Sequence, residues 1–403
     1  MPQTLQTGQS SSSTPATVQV TPSATLPVVN NRTIGVLLPL TGKFEKFGKK
    51  CLQGIQLAFD PSFNLVVQDS GEDPDQAIRG LEQLVKIQKV SAVIGPMLNK
   101  GSDQITQHAQ KLGIPLLSLV RRAGSVQDFV FQAGLTQNQQ TQELARYVLQ
   151  NLKMLRFAIL YPNDKMGKEM ANSFWNAVES FGGEIVGFET YEPEETDFRV
   201  PVDKLAGLFY LDARQTELDA LAQERLLNTI TKKTRKTEQF FNLKPIVDFD
   251  AVFIPDEPKV AGQMIPTFAY RDIETIKFLG TASWNTPEFL SRLQTHGKQT
   301  LFVDAFRNDS ESPAVQAFIK RYQDTYQQEP TSFEALAFDA GQILRQALTS
   351  GSTPTTAAEV RDRLKGTRNF PGVTGQISYK DGEFFRNLSI LTLKDDKISE
   401  LKN

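Results

Sequence analysis

The sequence is poor in the residues that form cross-links and transition-metal centres, with one Cys and two His among 403 residues. One Cys cannot form an intrachain disulfide, and two His provide little material for a zinc or copper site. No apolar run approaches the roughly 18 residues needed to cross a bilayer. Met1 is followed directly by polar residues, so the pattern does not indicate a cleavable signal peptide. Such a disulfide-free chain fits the cytosol or the periplasm.

Neither sign of charge is in excess, because 44 Lys and Arg stand against 46 Asp and Glu, a net charge of -2. No overall field would attract nucleic acid or an anionic membrane. Enzyme motifs are absent too: there is no Walker loop, no Gly-x-Gly-x-x-Gly after a strand and no Gly-x-Ser-x-Gly elbow. We therefore predict no enzymatic activity, no cofactor and no metal. The length favours two domains of ordinary size.

Residues 1–32 consist almost entirely of Gln, Ser, Thr, Pro and Val, without apolar periodicity. Such a segment cannot bury enough surface to offset the entropy lost on ordering, so we interpret it as a disordered linker. A linker at this position suggests that an export signal, a lipid anchor or another domain precedes it in the native protein. A ragged terminus is the alternative.

The chain is organised around the stretch from Thr33 to Gly48, which predicts a buried strand, a tight loop and a helix starting at Glu45. Repeated strand and helix patterns follow, and they begin again at Phe157. We expect two α/β lobes with doubly wound, largely parallel sheets. Ligands of such sheets bind beyond the carboxyl ends of the strands. For the first strand that end is Pro39 to Gly42.

A charged stretch from about 212 to 244 interrupts this rhythm in the second lobe. It has Leu218, Leu221, Leu226, Leu227 and Ile230 at helical spacing, which predicts an inserted amphipathic helix. A basic run follows, formed by Lys232, Lys233, Arg235 and Lys236. The run is either a solvated face or a surface that docks another protein.

Four stretches together resemble one family, the type I periplasmic solute-binding proteins, which include the branched-chain amino-acid binding proteins. They are IGVLLPLTGKFEKFG from Ile34, VIGPMLNKGS from Val93, YPNDKMGKEM from Tyr161 and FPGVTGQISYKDGEFFRNLSI from Phe370. The resemblance implies two lobes that close over a ligand and a hinge of three crossing segments. The crossings would lie near 134–136, 304–306 and 371–374. Lobe one would comprise 33–134 plus 306–371, and lobe two 135–305 plus 372–403.

A narrower resemblance involves the segments Val247 to Ile273 and Phe278 to Phe289. They are similar to bacterial envelope proteins of the penicillin-binding protein activator type, in which a helical repeat region precedes the solute-binding-like domain. An upstream domain of that kind would explain the linker.

The resemblance also implies residues at the edges of the cleft. These are Thr41, Gly42, Met97, Ser102, Ser118 and Arg121 in lobe one, and Asp164, Asp256 and Trp284 in lobe two. Ser102 and Ser118 would hold a ligand carboxylate, and Asp256 would hold an ammonium group.

Several of these residues have a structural alternative. Arg121 and Arg122 bind an anionic ligand or brace the loop, Asp164 faces the cleft or caps a helix, and Trp284 stacks on a ligand or packs between lobes. Cys51 is predicted to be a small core residue. His108 and His296 fall in separate lobes, so we expect neither catalysis nor metal binding from them.

These residues predict a non-enzymatic extracytoplasmic protein that closes two lobes over a small polar solute, such as an amino acid, and delivers it to a membrane transporter. The alternative is an envelope regulator of peptidoglycan synthesis that contacts a peptidoglycan synthase and has a degenerate cleft. Met97, Met166 and Arg121, which depart from the family pattern, favour the regulator. Both alternatives place the protein in the periplasm or cell envelope.

Overall fold

The computed structural model describes residues 32–120, 127–231, 242–293, 297–354, 356–395 and 397–401. Nearly all of the predicted linker, Arg121, Arg122, His296 and the basic run at 232–236 lie outside the described residues. The described strands are, in chain order, β1 Thr33–Leu38, β2 Asn64–Asp69, β3 Val93–Ile94, β4 Leu116–Ser118, β5 Val130–Gln132, β6 Arg156–Pro162, β7 Glu184–Tyr191, β8 Ala251–Phe253, β9 Lys277–Gly280, β10 Thr300–Asp304, β11 Phe370–Gly372, β12 Gly375–Lys380, β13 Glu383–Arg386, β14 Ser389–Lys394 and β15 Lys397–Glu400.

The described helices alternate with these strands through most of the chain. They are α1 Glu45–Ala58, α2 Pro74–Glu82, α3 Ser102–Leu112, α4 Gln137–Gln150, α5 Lys165–Ser180, α6 Arg199–Leu205, α7 Gln215–Thr231, α8 Pro258–Tyr270, α9 Pro287–Arg292, α10 Pro313–Tyr326, α11 Ser332–Thr349 and α12 Ala357–Lys365. None of them is long and apolar enough to cross a bilayer. Side-chain caps start several, including Thr136 on α4 and a Thr331–Glu334 capping box on α11.

The first sheet has the strand order β11-β12-β13-β5-β4-β3-β1-β2. Strands β1 to β5 are parallel to one another. Strands β11, β12 and β13 form an antiparallel meander at one edge. Strand β1 is buried throughout. Ile34, Val36 and Leu38 pack against α1 and α11, whereas Leu37 packs against α2 and α3. The strand is therefore covered on both faces, as its apolar sequence predicts.

The second sheet has the strand order β15-β14-β10-β9-β8-β6-β7, with an antiparallel hairpin at one edge of five parallel strands. Helices α6, α8 and α9 cover one of its faces, and α4 and α5 cover the other. The chain thus forms two lobes, each with its own sheet and core. This arrangement confirms the predicted α/β architecture.

The third crossing between the lobes is not where the sequence placed it. Strands β12 and β13, which lie after the predicted crossing at 371–374, belong to the first sheet. Glu383 pairs with Gln132 of β5, and Ile377 and Phe384 are buried in the core of lobe one. The chain therefore crosses at Asn387 and Leu388, and the assignment of residues 372–386 to lobe two was wrong. The prediction missed β13, which follows a tight turn at Asp381 and Gly382 with positive φ at both residues.

The insertion contains the expected helix, α7, but its apolar residues do not form one buried face. Leu218 and Leu221 are half-buried, whereas Leu226, Leu227 and Ile230 are exposed. The predicted inserted helix is therefore present, with three of its five apolar side chains exposed.

Close contact between α1 and α11 yields a test of the core of lobe one. A Cβ at Gly54 would lie 2.2 Å from the main-chain oxygen of Glu334. Because backbone cannot yield as a side-chain tip does, Gly54→Ala should lower the free energy of unfolding by about 2–3 kcal/mol.

Gly80→Ala is the matched control, since its Cβ would meet the movable Cδ1 of Leu37 at 3.1 Å. Alanine's higher helix propensity offsets part of that strain, so we expect a change within about 1 kcal/mol. Urea unfolding of both variants is the measurement, and equal losses would contradict the α1–α11 contact.

Candidate functional site

The candidate site is the region between the lobes onto which the carboxyl ends of the parallel strands open. In lobe one, the loops after β1, β2, β3 and β4 begin there. In lobe two, the loops after β6, β8 and β9 do so. This geometry brings the predicted residues of each lobe to one edge of its sheet.

Asp69 fixes the opening loop of lobe one. Its carboxylate accepts hydrogen bonds from the N–H of Leu40 at 2.8 Å, the hydroxyl of Thr41 at 2.6 Å and the N–H of Gly71 at 2.9 Å. Burial raises the pKa of Asp69, but these hydrogen bonds outweigh burial and hold the pKa below its ordinary value. The hydroxyl of Thr41 therefore braces the cleft wall.

Gly42 is required by the same loop. It has a φ of +77°, and a Cβ there would lie 2.5 Å from Oε1 of Glu72. That oxygen accepts a hydrogen bond from the N–H of Lys43 at 2.7 Å. Only glycine combines this backbone conformation with the close approach of Glu72.

The other predicted residues of lobe one are less available to a solute. Met97 is half-buried and packs against the core of the lobe. Ser102 is 4% exposed and donates its hydroxyl proton to the carbonyl of Asn99 at 2.9 Å. Ser118 is completely buried, and its hydroxyl accepts from the N–H of Val120 at 3.5 Å. The structure thus directs both serine hydroxyls to their own loops. Arg121 lies outside the described residues.

Asp256 is the carboxylate that lobe two presents at the end of β8. One oxygen accepts from the hydroxyl of Tyr191 and the other from the N–H of Glu257, both at 2.6 Å. Its main-chain oxygen accepts from Ser283 Oγ and Trp284 Nε1, both at 3.0 Å. Two hydrogen bonds therefore orient the half-buried carboxylate, and two more hold the backbone of Asp256.

Burial raises the pKa of Asp256 above its ordinary value, and the nearby charge of Asp164 acts in the same direction. The hydrogen bonds from Tyr191 and Glu257 oppose this rise without cancelling it. Burial, followed by the charge of Asp256, raises the pKa of Tyr191, so Tyr191 stays a neutral donor at physiological pH. A cation beside Asp256 would relieve the cost of its buried charge.

Two predicted cleft residues of lobe two have structural roles. Asp164 caps α5, because its Oδ1 accepts from the N–H of Gly167 at 2.6 Å. Trp284 is completely buried in the core of lobe two, with ring centroids 4.5 Å from Phe289 and 6.1 Å from Phe302. Neither face of its indole can stack on a solute, so the ligand-stacking interpretation was wrong. Trp284 acts through its N–H, which positions the backbone of Asp256.

Cys51 and His108 make contacts within lobe one. Cys51 is 3% exposed and packs in the core of lobe one, which confirms the prediction for it. His108 places Nε2 3.1 Å from a carboxylate oxygen of Glu82. Among the described residues, no three His, Cys, Asp or Glu side chains are grouped as a metal site would require.

A buried polar cluster lies at the hinge, and the sequence analysis did not predict it. Asp304, at the end of β10, is fully buried and accepts hydrogen bonds from Asn285 Nδ2 at 2.8 Å and from the hydroxyl of Ser332. Asn285 belongs to lobe two, whereas Ser332 begins α11 in lobe one. One carboxylate therefore connects both lobes at the second crossing.

A second part of the cluster surrounds Arg386, the last residue before the third crossing. Its guanidinium donates to the carbonyl of Ala133 at 2.8 Å and to Thr374 Oγ1 at 3.1 Å. Thr374 in turn donates to Asp339 at 2.5 Å. Burial lowers the pKa of Arg386 to about 10, although Asp339 and then Asp304 oppose this effect. The arginine stays charged at neutral pH and ties the third crossing to the first.

Comparison with known proteins agrees with the two-lobed architecture. The sequence profile described as "Periplasmic binding protein" matches residues 32–208 and 248–397, well over half of the chain. The chain belongs to the periplasmic binding protein family. The segment 209–247, which contains α7, falls between the two matched stretches.

Curated relatives are similar over part of this chain. A Leu/Ile/Val-binding protein homolog 3 from Brucella melitensis is 26% identical over 188 residues, covering 43% of this chain and 50% of the relative. The Leu/Ile/Val-binding protein BraC3 from Rhizobium johnstonii is 24% identical over 184 residues, covering 41% and 49%. The chain thus spans about half the length of the curated relatives it matches.

Solved structures match nearly the whole chain. The branched-chain amino acid transporter substrate binding protein LivJ from Streptococcus pneumoniae, in complex with isoleucine, is 25% identical with a TM-score of 0.64, covering 91% of this chain and 97% of that one. A putative branched-chain amino acid ABC transporter protein from Rhodospirillum rubrum is 20% identical with a TM-score of 0.71, covering 92% and 99%. These similarities confirm the predicted fold.

The hinge cluster predicts an unusual pH dependence of stability. Burial raises the pKa of Asp304 and of Asp339, although hydrogen bonds from Ser332, Asn285 and Thr374 oppose it. The folded state therefore binds these protons more tightly than the unfolded chain does. The contribution of both groups to the free energy of unfolding falls as pH rises through the raised pKa values. The free energy of unfolding of wild type should accordingly exceed that of Asp304→Asn most near pH 3, and this difference should decline toward neutrality.

Urea unfolding at a series of pH values measures this difference. Asp197→Asn is a control that should show the opposite pH dependence, because hydrogen bonds from Arg199 lower the pKa of the exposed Asp197 to about 2. The free energy of unfolding of wild type should exceed that of Asp197→Asn by less as pH falls. A difference in the free energy of unfolding between wild type and Asp304→Asn that grows with pH would contradict the raised pKa of Asp304.

Proposed function

We propose that this chain is a non-enzymatic extracytoplasmic solute-binding protein that closes two lobes over a small polar solute, such as an amino acid. Family membership supports binding at the cleft between the lobes, and the similarity to proteins that bind Leu, Ile and Val supports an amino-acid solute. The LivJ structure, 25% identical, is in complex with isoleucine. The partner we propose is a membrane transporter that receives the solute.

The observation that carries this proposal is the environment of Asp256. Tyr191 and the N–H of Glu257 each use one carboxylate oxygen, and each oxygen retains a lone pair for another donor. An ammonium group supplies donors and a compensating positive charge. Asp256 would therefore bind the amino group of the solute from lobe two.

Lobe one would complete the site largely through its backbone. The two serine hydroxyls that the sequence suggested are directed to their own loops, so they are not proposed as carboxylate ligands. Helix α3 begins at Ser102, after the loop that follows β3 at this edge, and the N–H groups of a helix start favour an anionic group. A zwitterion would thus meet negative charge on lobe two and backbone donors on lobe one.

The alternative of a regulator of peptidoglycan synthesis has no support from the comparisons, and we do not propose it. Residues Met97 and Met166, which favoured that alternative in the sequence, are half-buried and exposed, respectively. Neither placement requires that the cleft be blocked.

Asp256→Asn should weaken amino-acid binding about 10- to 100-fold, because it replaces a charged acceptor with a neutral one. The measurement is titration calorimetry with each of the common amino acids. Asp272→Asn, which alters an exposed carboxylate of the same lobe beyond α8, should leave affinity unchanged. Failure of wild type to bind any amino acid would contradict the proposed solute. Binding that survives Asp256→Asn would contradict only the role of Asp256.

Binding should also release protons at pH values where Asp256 is partly protonated. Burial raises the pKa of Asp256, and a bound ammonium group favours the charged carboxylate. Affinity should therefore rise as pH increases through the pKa of Asp256. Calorimetry in buffers with different ionisation enthalpies measures the protons released, and proton uptake would contradict the assignment.

A further inference from the structure

Exposed apolar side chains are concentrated in the segment that the family profile does not match. Of the sixteen large apolar side chains exposed in the described part of the chain, half lie between residues 209 and 247. We call these eight the insertion surface, and they are Phe209, Tyr210, Leu211, Leu226, Leu227, Ile230, Ile246 and Val247. Their exposed fractions run from 36% to 67%. Monomeric proteins rarely expose so large a group in one segment.

Two chain segments form the base of the insertion surface. In the first, the rings of Phe209 and Tyr210 are 5.1 Å apart at 86°. In the second, the N–H of Ile246 donates to the carbonyl of Ala206, shortly before this pair, at 2.8 Å. Arg214 is buried and joins the two chain segments by donating to the carbonyls of Gly207 and Lys244. A fixed polar contact thus supports an exposed apolar face.

Helix α7 follows the base along the chain and carries the other three exposed side chains. From Gln215 to Ile230 all its residues are exposed except Leu218, Leu221 and Asn228, which are half-buried. Helices of this length are marginal in water unless tertiary contacts stabilise them. Covering Leu226 and Ile230 would remove apolar area from water and add such contacts.

We infer that the insertion surface binds a second copy of this chain and forms a two-fold dimer. The eight side chains expose on the order of 800 Å² together, which is about the area each partner contributes to a standard interface. The described residues of the segment 209–247 carry three Lys or Arg and four Asp or Glu. Because the charges nearly balance, two identical surfaces would not repel each other. A strongly charged partner would instead require a face of strong opposite charge.

The position of the surface leaves the cleft free in the dimer. Val247 precedes β8, which begins at Ala251, so the base lies toward the amino ends of the parallel strands. The candidate solute site lies beyond their carboxyl ends. A dimer formed through the insertion surface therefore need not hinder closure of either protomer.

Sedimentation equilibrium of the full chain at concentrations up to about 100 µM tests the dimer. Wild type should sediment with twice the monomer mass. The dimer dissociation constant of the variant Tyr210→Ser/Leu226→Ser/Ile230→Ser should be at least about 100-fold higher, because each substitution removes apolar area that the dimer would bury. Ile87→Ser is the matched control, since Ile87 is 70% exposed in lobe one, and it should remain dimeric.

Circular dichroism of the triple variant should show a folded protein, because all three positions are exposed. A wild-type monomer throughout this range would overturn the inference, and so would a dimer that the triple variant leaves intact. Binding of wild-type monomers to lipid vesicles or to a different protein through this surface would also overturn it.

Discussion

Two buried carboxylates and one buried guanidinium at the hinge constrain how the lobes are joined. Asp304 accepts hydrogen bonds from Asn285 of lobe two and Ser332 of lobe one. Arg386 donates to Ala133 in the first crossing and, through Thr374, is linked to Asp339. Buried charges are costly unless they are paired and hydrogen-bonded, so each lobe must present its donors at these positions. The cluster thus fixes the three crossings relative to one another.

The hinge is also connected to the candidate solute site by a short path. Asn285, which donates to Asp304, directly follows Trp284, whose indole N–H holds the backbone of Asp256. The segment at 283–285 therefore contacts both the hinge carboxylate and the carboxylate proposed to bind the ammonium group. Movement of lobe two about the hinge would carry Asp256 as part of a rigid unit, because Trp284 is locked in the core. Binding and closure share residues in this arrangement.

Sequence reasoning succeeded where local patterns carry the information. The apolar run of β1 predicted a strand buried on both faces, and the Asn-Asp pair before α5 allowed the helix cap that Asp164 provides. It failed where distant residues decide the outcome. Asp304 and Ser332 are 28 positions apart, and only the fold brings them together. A polar residue at the end of the apolar run Leu301 to Val303 was the available signal.

The predictions for the third crossing and for Trp284 were wrong for separate physical reasons. Strand β13 has only four residues, and its adjacent Phe384 and Phe385, one buried and one exposed, show no period-two pattern in the sequence, so the third crossing was misplaced. The role of Trp284 depends on neighbours from α9 and β10, which no spacing reveals. Helical spacing in α7 predicted its conformation correctly, yet spacing does not show whether an apolar face finds a partner.

The central claim is that a solute closes the two lobes. Pulsed electron paramagnetic resonance tests it with spin labels at Lys43→Cys in lobe one and Lys165→Cys in lobe two, both exposed at the cleft edge, in a Cys51→Ala background. Adding a millimolar mixture of the common amino acids should shorten the distance between the labels and narrow its distribution. An unchanged distribution would contradict closure over an amino acid.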